Sequence, residues 1–447
     1  MGTGDQVIII GAGVAGLAAA AKLSEAGLTV TILEARDRIG GRVFTKRVPD
    51  CDAPIELGAE FIHGLPPEIW KPLRQHRIET SEVDGDNWCV SEDVLKPCDF
   101  FSDIDSVLDK MDDSYPDESF LDFLRRRFPN PKHDARLEEA RKHALAYVSG
   151  FNAADPALVG VHWLVQEMRT EERIQGDRAF RCKNGYEDLL TIFRKEIERS
   201  NVAVHTNTVV ESVDWKKNHI EVRSRSTEGV STRFTPQVLI TVPLAILKAA
   251  AGQTGTIRFT PPLPQEKGDA LDKLAMGEVI RVVLRFRERF WDTIQPSSGK
   301  SLEEMSFLFS EDPWFPTWWT TLPEKSPILT GWAPFRAGQN LSGKDSSFVT
   351  QRAIQSLSRE LGVSRDAIEK LLTEVDFHDW QSDPFSRGAY SYGKVGCDGA
   401  QRALGAALDN TLFFAGEATD TSGNNGTVHG AIASGYRAAD EIVKAGE

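Results

Sequence analysis

The chain is poor in cysteine, and the few it has are not arranged for a metal or a redox pair. Cys51, Cys89, Cys98, Cys182 and Cys397 are odd in number, widely scattered and without a CxxC. That pattern excludes a zinc ribbon or a disulfide-stapled scaffold, and it reads as five free thiols in a reducing cytoplasm with no metal site. No apolar run approaches the roughly 18–20 residues of a membrane span. The apolar stretch from Val7 to Leu23 follows Asp5, not basic residues, and three glycines break it, so it is not read as a secretory signal. The closing EIVKAGE carries no anchor. Positive charge is also short: 52 Lys and Arg stand against 66 Asp and Glu, a net charge of −14. Phosphate backbones need a basic face, so a nucleic-acid partner is not expected, whereas an acidic field suits a cationic substrate. Internal repeats and low-complexity tracts are absent, and 447 residues at 40% hydrophobic composition suffice for about three globular units.

What is present begins at the N-terminus. Gln6 to Ile10 (QVIII) is a continuous apolar run of the kind that fills a buried parallel strand, and GAGVAG follows at once. An alanine-rich helical stretch, Leu17 to Leu23, comes next, with Gly27 placed to stop it. Thr29 to Leu33 (TVTIL) is then a second β-branched strand. This βαβ unit gives the glycines physical roles. Gly11 permits the tight turn, Gly13 lets the backbone approach a pyrophosphate, and Gly16 lets helix pack on strand. The turn Gly11, Ala12, Gly13, Val14, Ala15 and Gly16 opens a helix whose free N–H groups suit phosphate. Glu34 ends the second strand, where a carboxylate accepts from ribose hydroxyls. Just beyond it, Ala35 and Arg36 lead into RIGGRV. Its Gly40 and Gly41 form a second close-approach loop, with Arg42 as a cation near the pyrophosphate. A nicotinamide dehydrogenase does not need that second loop, and no other GxGxxG occurs, so the nucleotide is read as FAD and not NADPH.

From about Leu65 to Gln175 the pattern turns to charged, helix-favouring segments. Strand-like alternation returns in VAVHTNTVVESVDW and QVLITVPL, where Ile240 to Leu244 reads as a buried strand running into Pro243. MGEVIRVVLRF and a tryptophan-rich stretch containing Trp314, Trp318, Trp319 and Trp332 suggest a second sheet. TLFFAGEATD and GTVHGAIASGYRAADEIVKA read as a last strand and helix joined by a glycine-rich loop. The fold class is therefore α/β, a Rossmann-like FAD-binding domain interleaved with an α+β substrate-binding domain. The FAD-binding parts are expected at 1–80, 181–250 and 380–447. A helical substrate region is expected at 81–180, and the main substrate-binding domain at 251–379.

These segments resemble the flavin amine oxidases, a family of monoamine, polyamine and L-amino-acid oxidases and lysine-specific histone demethylases. The resemblance rests on EARDRIGGRV (34–43), ELGAEFIHG (56–64), NTVVESV (207–213), TVPLAIL (241–247), PPLPQEK (261–267), WQSDPFSRGAYSY (380–392), and FFAGEATD with GTVHGA (413–431), all in family order. It implies that Leu57, Gly58, Ala59 and Glu60 line the flavin and that Val210 contacts the adenine. Gly416 and Glu417 bind the cofactor near its phosphate or ribityl region, and Thr427 and Val428 sit at the ring, where the last helix aims its dipole. Trp380 and Phe385 match aromatic positions that pack on the isoalloxazine, although either also suits ordinary core.

The resemblance also bears on substrate. Tyr390 matches one wall of the aromatic cage before the flavin, and the opposite wall falls on Thr427. His63 matches an entrance residue of polyamine oxidases; a plain loop histidine is its alternative. Phe61 stands where L-amino-acid oxidases carry a carboxylate-binding arginine. Ala389 stands where monoamine oxidases carry the cysteine that anchors their flavin, so the FAD is expected to be non-covalent. Arg281 stands where the family commonly has a lysine holding a water against flavin N5. Arginine cannot serve as a tunable base. It either holds the same water or alters oxygen reactivity, unless the register is shifted by one.

The implied activity is oxidation of a small primary or secondary amine. Hydride passes from the carbon beside nitrogen to the flavin, the imine hydrolyses to an aldehyde or ketone, and O2 is reduced to hydrogen peroxide. Catalytic roles fall to Tyr390, Arg281, His63 and Thr427. The rival readings are a desaturase or porphyrinogen-type oxidase on the same fold and a non-catalytic flavoprotein redox sensor. Oligomeric state is not legible.

Overall fold

The computed structural model describes residues 6–49, 51–91, 93–129, 134–297 and 299–446. Its organising element is a five-stranded parallel sheet made of β1 (Val7–Ile10), β2 (Val30–Leu33), β3 (Val202–His205), β4 (Gln237–Ile240) and β5 (Leu412–Phe414), in the order β3-β2-β1-β4-β5. β1 pairs with both β2 and β4, so Val7 faces Val30 on one side and Gln237 on the other. Every residue of β1, β2, β4 and β5 is buried, which is why these strands read as unbroken apolar runs.

Helix α1 (Val14–Glu25) crosses one face of the sheet, with Ala18 to Ala21 all buried, and Gly27 follows its end at φ +83°. It packs closely on helix α2 (Val428–Gly446). A Cβ on Gly435 would lie 2.3 Å from the Ala15 carbonyl oxygen, so the two backbones meet at a distance only glycine allows. Ile240 ends β4, however, and Pro243 caps a short helix, Leu244–Leu247; the strand expected to run to Leu244 stops because proline cannot donate to a ladder.

A second sheet of seven strands runs in the order Leu372–Asp379, Val279–Phe286, Ile328–Pro334, Thr317–Trp319, Met305–Phe309, Asp86–Ser91, Val94–Pro97. Helix Ser346–Leu361 packs on its own core with Trp88, Trp291 and Trp318 fully buried. The 81–180 stretch is thus not purely helical. Its first part supplies a hairpin to this sheet, because Met305–Phe309 offers a parallel edge to Asp86–Ser91. Helices Phe100–Leu108, Phe120–Arg127, Ala135–Gly150 and Val161–Ile174 follow.

The hairpin also corrects the reading of five free thiols. Pairing Trp88 with Pro97 and bonding Cys98 N–H to the Asn87 carbonyl brings Cys89 and Cys98 to a Cα separation of 5.7 Å, where they form a disulfide. Cys51, Cys182 and Cys397 are free. The thiol argument for a reducing compartment therefore loses its premise. Among the described residues no helix is long and apolar enough to cross a membrane, and no group of His, Cys, Asp and Glu could hold a metal ion.

Candidate cofactor and substrate site

One continuous cavity of about 1070 Å³ runs from the C-terminal end of the parallel sheet to the helical region and the seven-stranded sheet. It is at the top of the size range of small-molecule sites. At its nucleotide end lie Gly11, Gly13, Val14 and Ala15. The three glycines divide their work as their spacing predicts. A Cβ on Gly16 would sit 2.1 Å from the Gly11 carbonyl oxygen and one on Gly11 would press on Thr241, whereas one on Gly13 would meet nothing within 4 Å. Gly13 therefore faces the open cavity. It is also the N-cap of α1, with no side-chain cap and no acidic residue in the first turn, so the free N–H groups stay available to an anion. Ala12 and Gly16 stand behind this surface. The fit to a dinucleotide diphosphate is good.

Glu34, only 3% exposed, ends β2 beside this turn. Its Oε2 accepts from Ala12 N–H at 2.7 Å and its Oε1 from Arg36 N–H at 2.8 Å. A carboxylate offers about four acceptor sites, so lone pairs remain for a diol. Ala35, Arg36, Val210 and Phe385 line the same end, and Arg36 is anchored to Asp383 at 2.7 Å while its guanidinium lies 5.6 Å from the Phe385 ring centre.

Further in, Gly40, Gly41, Arg42, Leu57, Gly58, Ala59, Trp380, Gly416, Glu417, Thr427 and Val428 line the wall. Glu417 is fully occupied by protein: Oε1 accepts from Arg42 at 2.9 Å and Oε2 from the Ser391 hydroxyl at 2.5 Å and Gly426 N–H at 2.9 Å. Its effect on a ligand passes through Arg42, whose Nη1 also donates to the Ala389 carbonyl at 2.8 Å, leaving Nε and Nη2 without a partner among the described residues. Trp380 Nε1 donates to the Leu57 carbonyl at 2.8 Å.

At the inner end Tyr390 and Thr427 share the cavity wall with Phe61, Trp319 and Trp332. The Tyr390 hydroxyl donates to the Phe151 carbonyl at 2.5 Å, which fixes its ring, and burial together with the nearby Glu167 pushes its ionisation far up. Thr427 Oγ1 donates to the Asn424 carbonyl and accepts from Gly430 N–H, so it closes the first turn of α2. His63 lines the cavity with burial lowering its pKa, and it adjoins His429, whose own pKa burial and His63 bring down to about 3. Both imidazoles are neutral at ordinary pH.

Arg281 lies on the fully buried strand Val279–Phe286. Its Nη1 donates to the Gly58 carbonyl at 2.9 Å and its Nη2 pairs with Glu60, while Nε is buried without a partner among the described residues. Glu60 in turn receives Arg181 at 2.6 Å and Trp319 Nε1 at 3.1 Å. Burial pushes the Glu60 carboxyl up, and Arg281 and Arg181 more than reverse it, so it stays ionised. No lysine and no cysteine lines the cavity among the described residues.

Sequence reasoning had no access to several of these groups. Arg181 stacks on Phe61 at 4.6 Å and spends its donors on Glu60 and the carbonyls of Leu322 and Thr320. Glu167, Glu171 and Asn152 also line the cavity, with Glu167 near Tyr390.

Comparison with known proteins agrees with this geometry. The family model described as flavin containing amine oxidoreductase matches residues 14–99 and 99–443. Polyamine oxidase 4 of Oryza sativa subsp. japonica is 27% identical over 98% of this chain and 88% of its own length. Lysine-specific histone demethylase 1 homolog 3 of Arabidopsis thaliana is 28% identical over 98% of the chain, which spans only 30% of that protein. A redesigned putrescine oxidase superposes with a TM-score of 0.80 at 21% identity, over 98% of this chain and 99% of the other, a likeness of fold. The chain belongs to the family of flavin-containing amine oxidoreductases.

Proposed function

We propose that the protein oxidises a small amine with a non-covalently held FAD and passes the electrons to oxygen. The observation that carries this reading is the continuity of one cavity, from a dinucleotide cradle at Gly13 and Glu34 to an aromatic, acid-lined inner arm at Tyr390. Relatives and neighbours named for polyamines and putrescine support it. Glu34 would take the ribose diol, the α1 N-terminus and Arg42 the diphosphate, and Leu57 to Glu60 with Thr427 and Val428 the ring system. Bound FAD supplies the two-electron acceptor for the carbon next to the amine nitrogen, and oxygen regenerates it with formation of hydrogen peroxide.

The chain's own residues then orient and shield. Tyr390, immobilised by Phe151, Thr427 and Trp332 frame the reacting end and exclude water. Neutral His63 and His429 add no positive charge there, so the neutral amine needed for oxidation is not opposed by a cation. At the aromatic end an α-carboxylate has no free arginine partner among the described residues, because Arg181 and Arg281 are both consumed by Glu60 and backbone carbonyls. The acid-lined arm likewise disfavours the large apolar substrates of a desaturase. Anaerobic mixing of the purified protein with amines and the matching α-amino acids tests the reading: amines should bleach the flavin and amino acids should not. Equal or faster bleaching by the amino acids overturns it.

A further inference from the structure

Buried carboxylates elsewhere in this site are each answered by an arginine: Glu60 by Arg181 and Arg281, Glu417 by Arg42, Asp383 by Arg36. Glu167 and Glu171 are the exception. They lie on helix Val161–Ile174, four residues apart, so their Cβ atoms are about 5–6 Å from one another on one face. Both line the cavity. Neither has a cationic partner among the described residues, and Glu167 has a single hydrogen bond there, from Asn152 Nδ2 at 2.7 Å. Arg178, which lines the same cavity, is already held by both oxygens of Glu82.

Two adjacent carboxylates partly shielded from solvent without a counter-charge are costly, because each loses hydration and each repels the other. The effect is visible on both. Burial and the neighbouring Glu171 raise the Glu167 pKa well above its ordinary value, and burial brings Glu171 to about 7. A second, separate sign of a missing partner is Asn152. It is 6% exposed and lines the same cavity, and while its amide nitrogen serves Glu167, its Oδ1 has no donor. Three acceptor groups thus converge on cavity space and lack what a multivalent N–H cation supplies.

Their placement is secured. Trp163 Nε1 on the same helix donates to Asn425 Oδ1 at 3.3 Å, and Thr170 Oγ1 to the Ser422 carbonyl at 2.7 Å. These bonds tie the helix to the loop that leads into Thr427. Glu167 is also close enough to Tyr390, and both glutamates to Tyr147, to perturb those phenols. The acidic pair therefore lies beside the aromatic end, on the wall of the same cavity.

We propose that Glu167, Glu171 and Asn152 form a second cation subsite that takes the distal ammonium of an α,ω-diamine or polyamine whose other nitrogen lies at Tyr390. The assignment rests on the amine-oxidase reading above and narrows it from amines in general to amines with two cationic nitrogens.

The test separates binding from turnover. Dithionite-reduced holoenzyme cannot oxidise an amine, so anaerobic calorimetry with a homologous series of α,ω-diaminoalkanes and the matching n-alkylamines reads affinity alone. The best diamine should bind wild-type protein roughly tenfold or more tighter than its monoamine, the return on one charge-assisted contact. Glu167→Gln and Glu171→Gln should each reduce that diamine-to-monoamine ratio several-fold, and the double substitution should bring it to about one. FAD content and circular dichroism confirm that the isosteric variants are folded. A wild-type ratio near one at every chain length, or a ratio unchanged in the double variant, overturns the subsite. Stopped-flow reduction of the oxidised enzyme is read separately. Failure of every amine to bleach the flavin sinks the oxidase reading, while the calorimetric ratios still decide the subsite.

Discussion

Glu60 and Arg281, 221 positions apart in the chain, form an ion pair inside the protein with side-chain exposures of 8% and 5%. The pair joins the loop that follows strand Cys51–Glu56 to strand Val279–Phe286, the second strand of the seven-stranded sheet. It therefore clamps the cofactor wall onto the substrate wall.

Removing one partner of such a pair leaves a buried charge, and the cost follows. Arg281→Met should destabilise the protein by about 3–5 kcal/mol, because Glu60 keeps only Arg181 and Trp319. Arg281→Lys, which restores a cation but not the bond to Gly58, should lose much less and should speed the reaction of reduced flavin with oxygen more than it changes reduction by amine. Thermal unfolding and rapid mixing of the two half-reactions check this. Equal stability of the Met variant and wild type would show that the pair is not structural.

Glu34→Gln should weaken FAD retention by about 1.5–3 kcal/mol, the worth of a hydrogen bond to a charged group. An amide oxygen can still accept from Ala12 or Arg36 N–H, so the turn survives while charge at the diol is lost. Cofactor affinity measured by fluorescence on reconstitution, unchanged from wild type, would place the ribose elsewhere.

Acid precipitation should release the yellow colour to the supernatant. The resemblance puts Ala389 where monoamine oxidases carry the anchoring cysteine, and none of the cysteines Cys51, Cys182 and Cys397 lines the cavity. Colour that stays in the pellet refutes non-covalent binding.

Glu167 and Glu171 give stability a definite pH dependence. A carboxyl with a folded-state pKa raised to about 7 against an ordinary 4.5 binds more protons when folded, so it favours the folded state below pH 4.5 and loses that advantage as pH rises through 7. Glu171→Gln should therefore be more stable than wild type at pH 8, on the order of 1 kcal/mol or more, with the difference shrinking toward pH 5. Thermal melts across that range, without added amine, would show a pH-independent difference if the group is not buried and unpaired.

The nucleotide half of the site was legible because its determinants are local. The apolar runs of β1 and β2, the spacing of Gly11, Gly13 and Gly16, and Glu34 all fall within about thirty residues and follow from strand and turn chemistry. The substrate half depends on distant pairings. Arg281 could be placed on a strand, but its partner could not, since nothing near it in sequence points to Glu60. Cys89 and Cys98 looked unpaired because the hairpin that joins them is set by an edge contact with Met305–Phe309. Glu167 and Glu171 did not stand out, because they fall in a stretch legible only as charged and helix-favouring. The available signal was their alignment with Trp163 and Ile174, which puts carboxylates on an otherwise apolar face.

The strand order β3-β2-β1-β4-β5 carries a consequence for biosynthesis. Its edge strand Leu412–Phe414 and the helix that packs on α1 are the last parts of the described chain to leave the ribosome. Until then Gly435 cannot seat against Ala15, and Glu417 cannot orient Arg42. Contacts spanning about four hundred residues make the closing step slow. The nascent chain thus displays its nucleotide turn early but can acquire a stable flavin only once Leu412–Gly446 has emerged, some four hundred residues later.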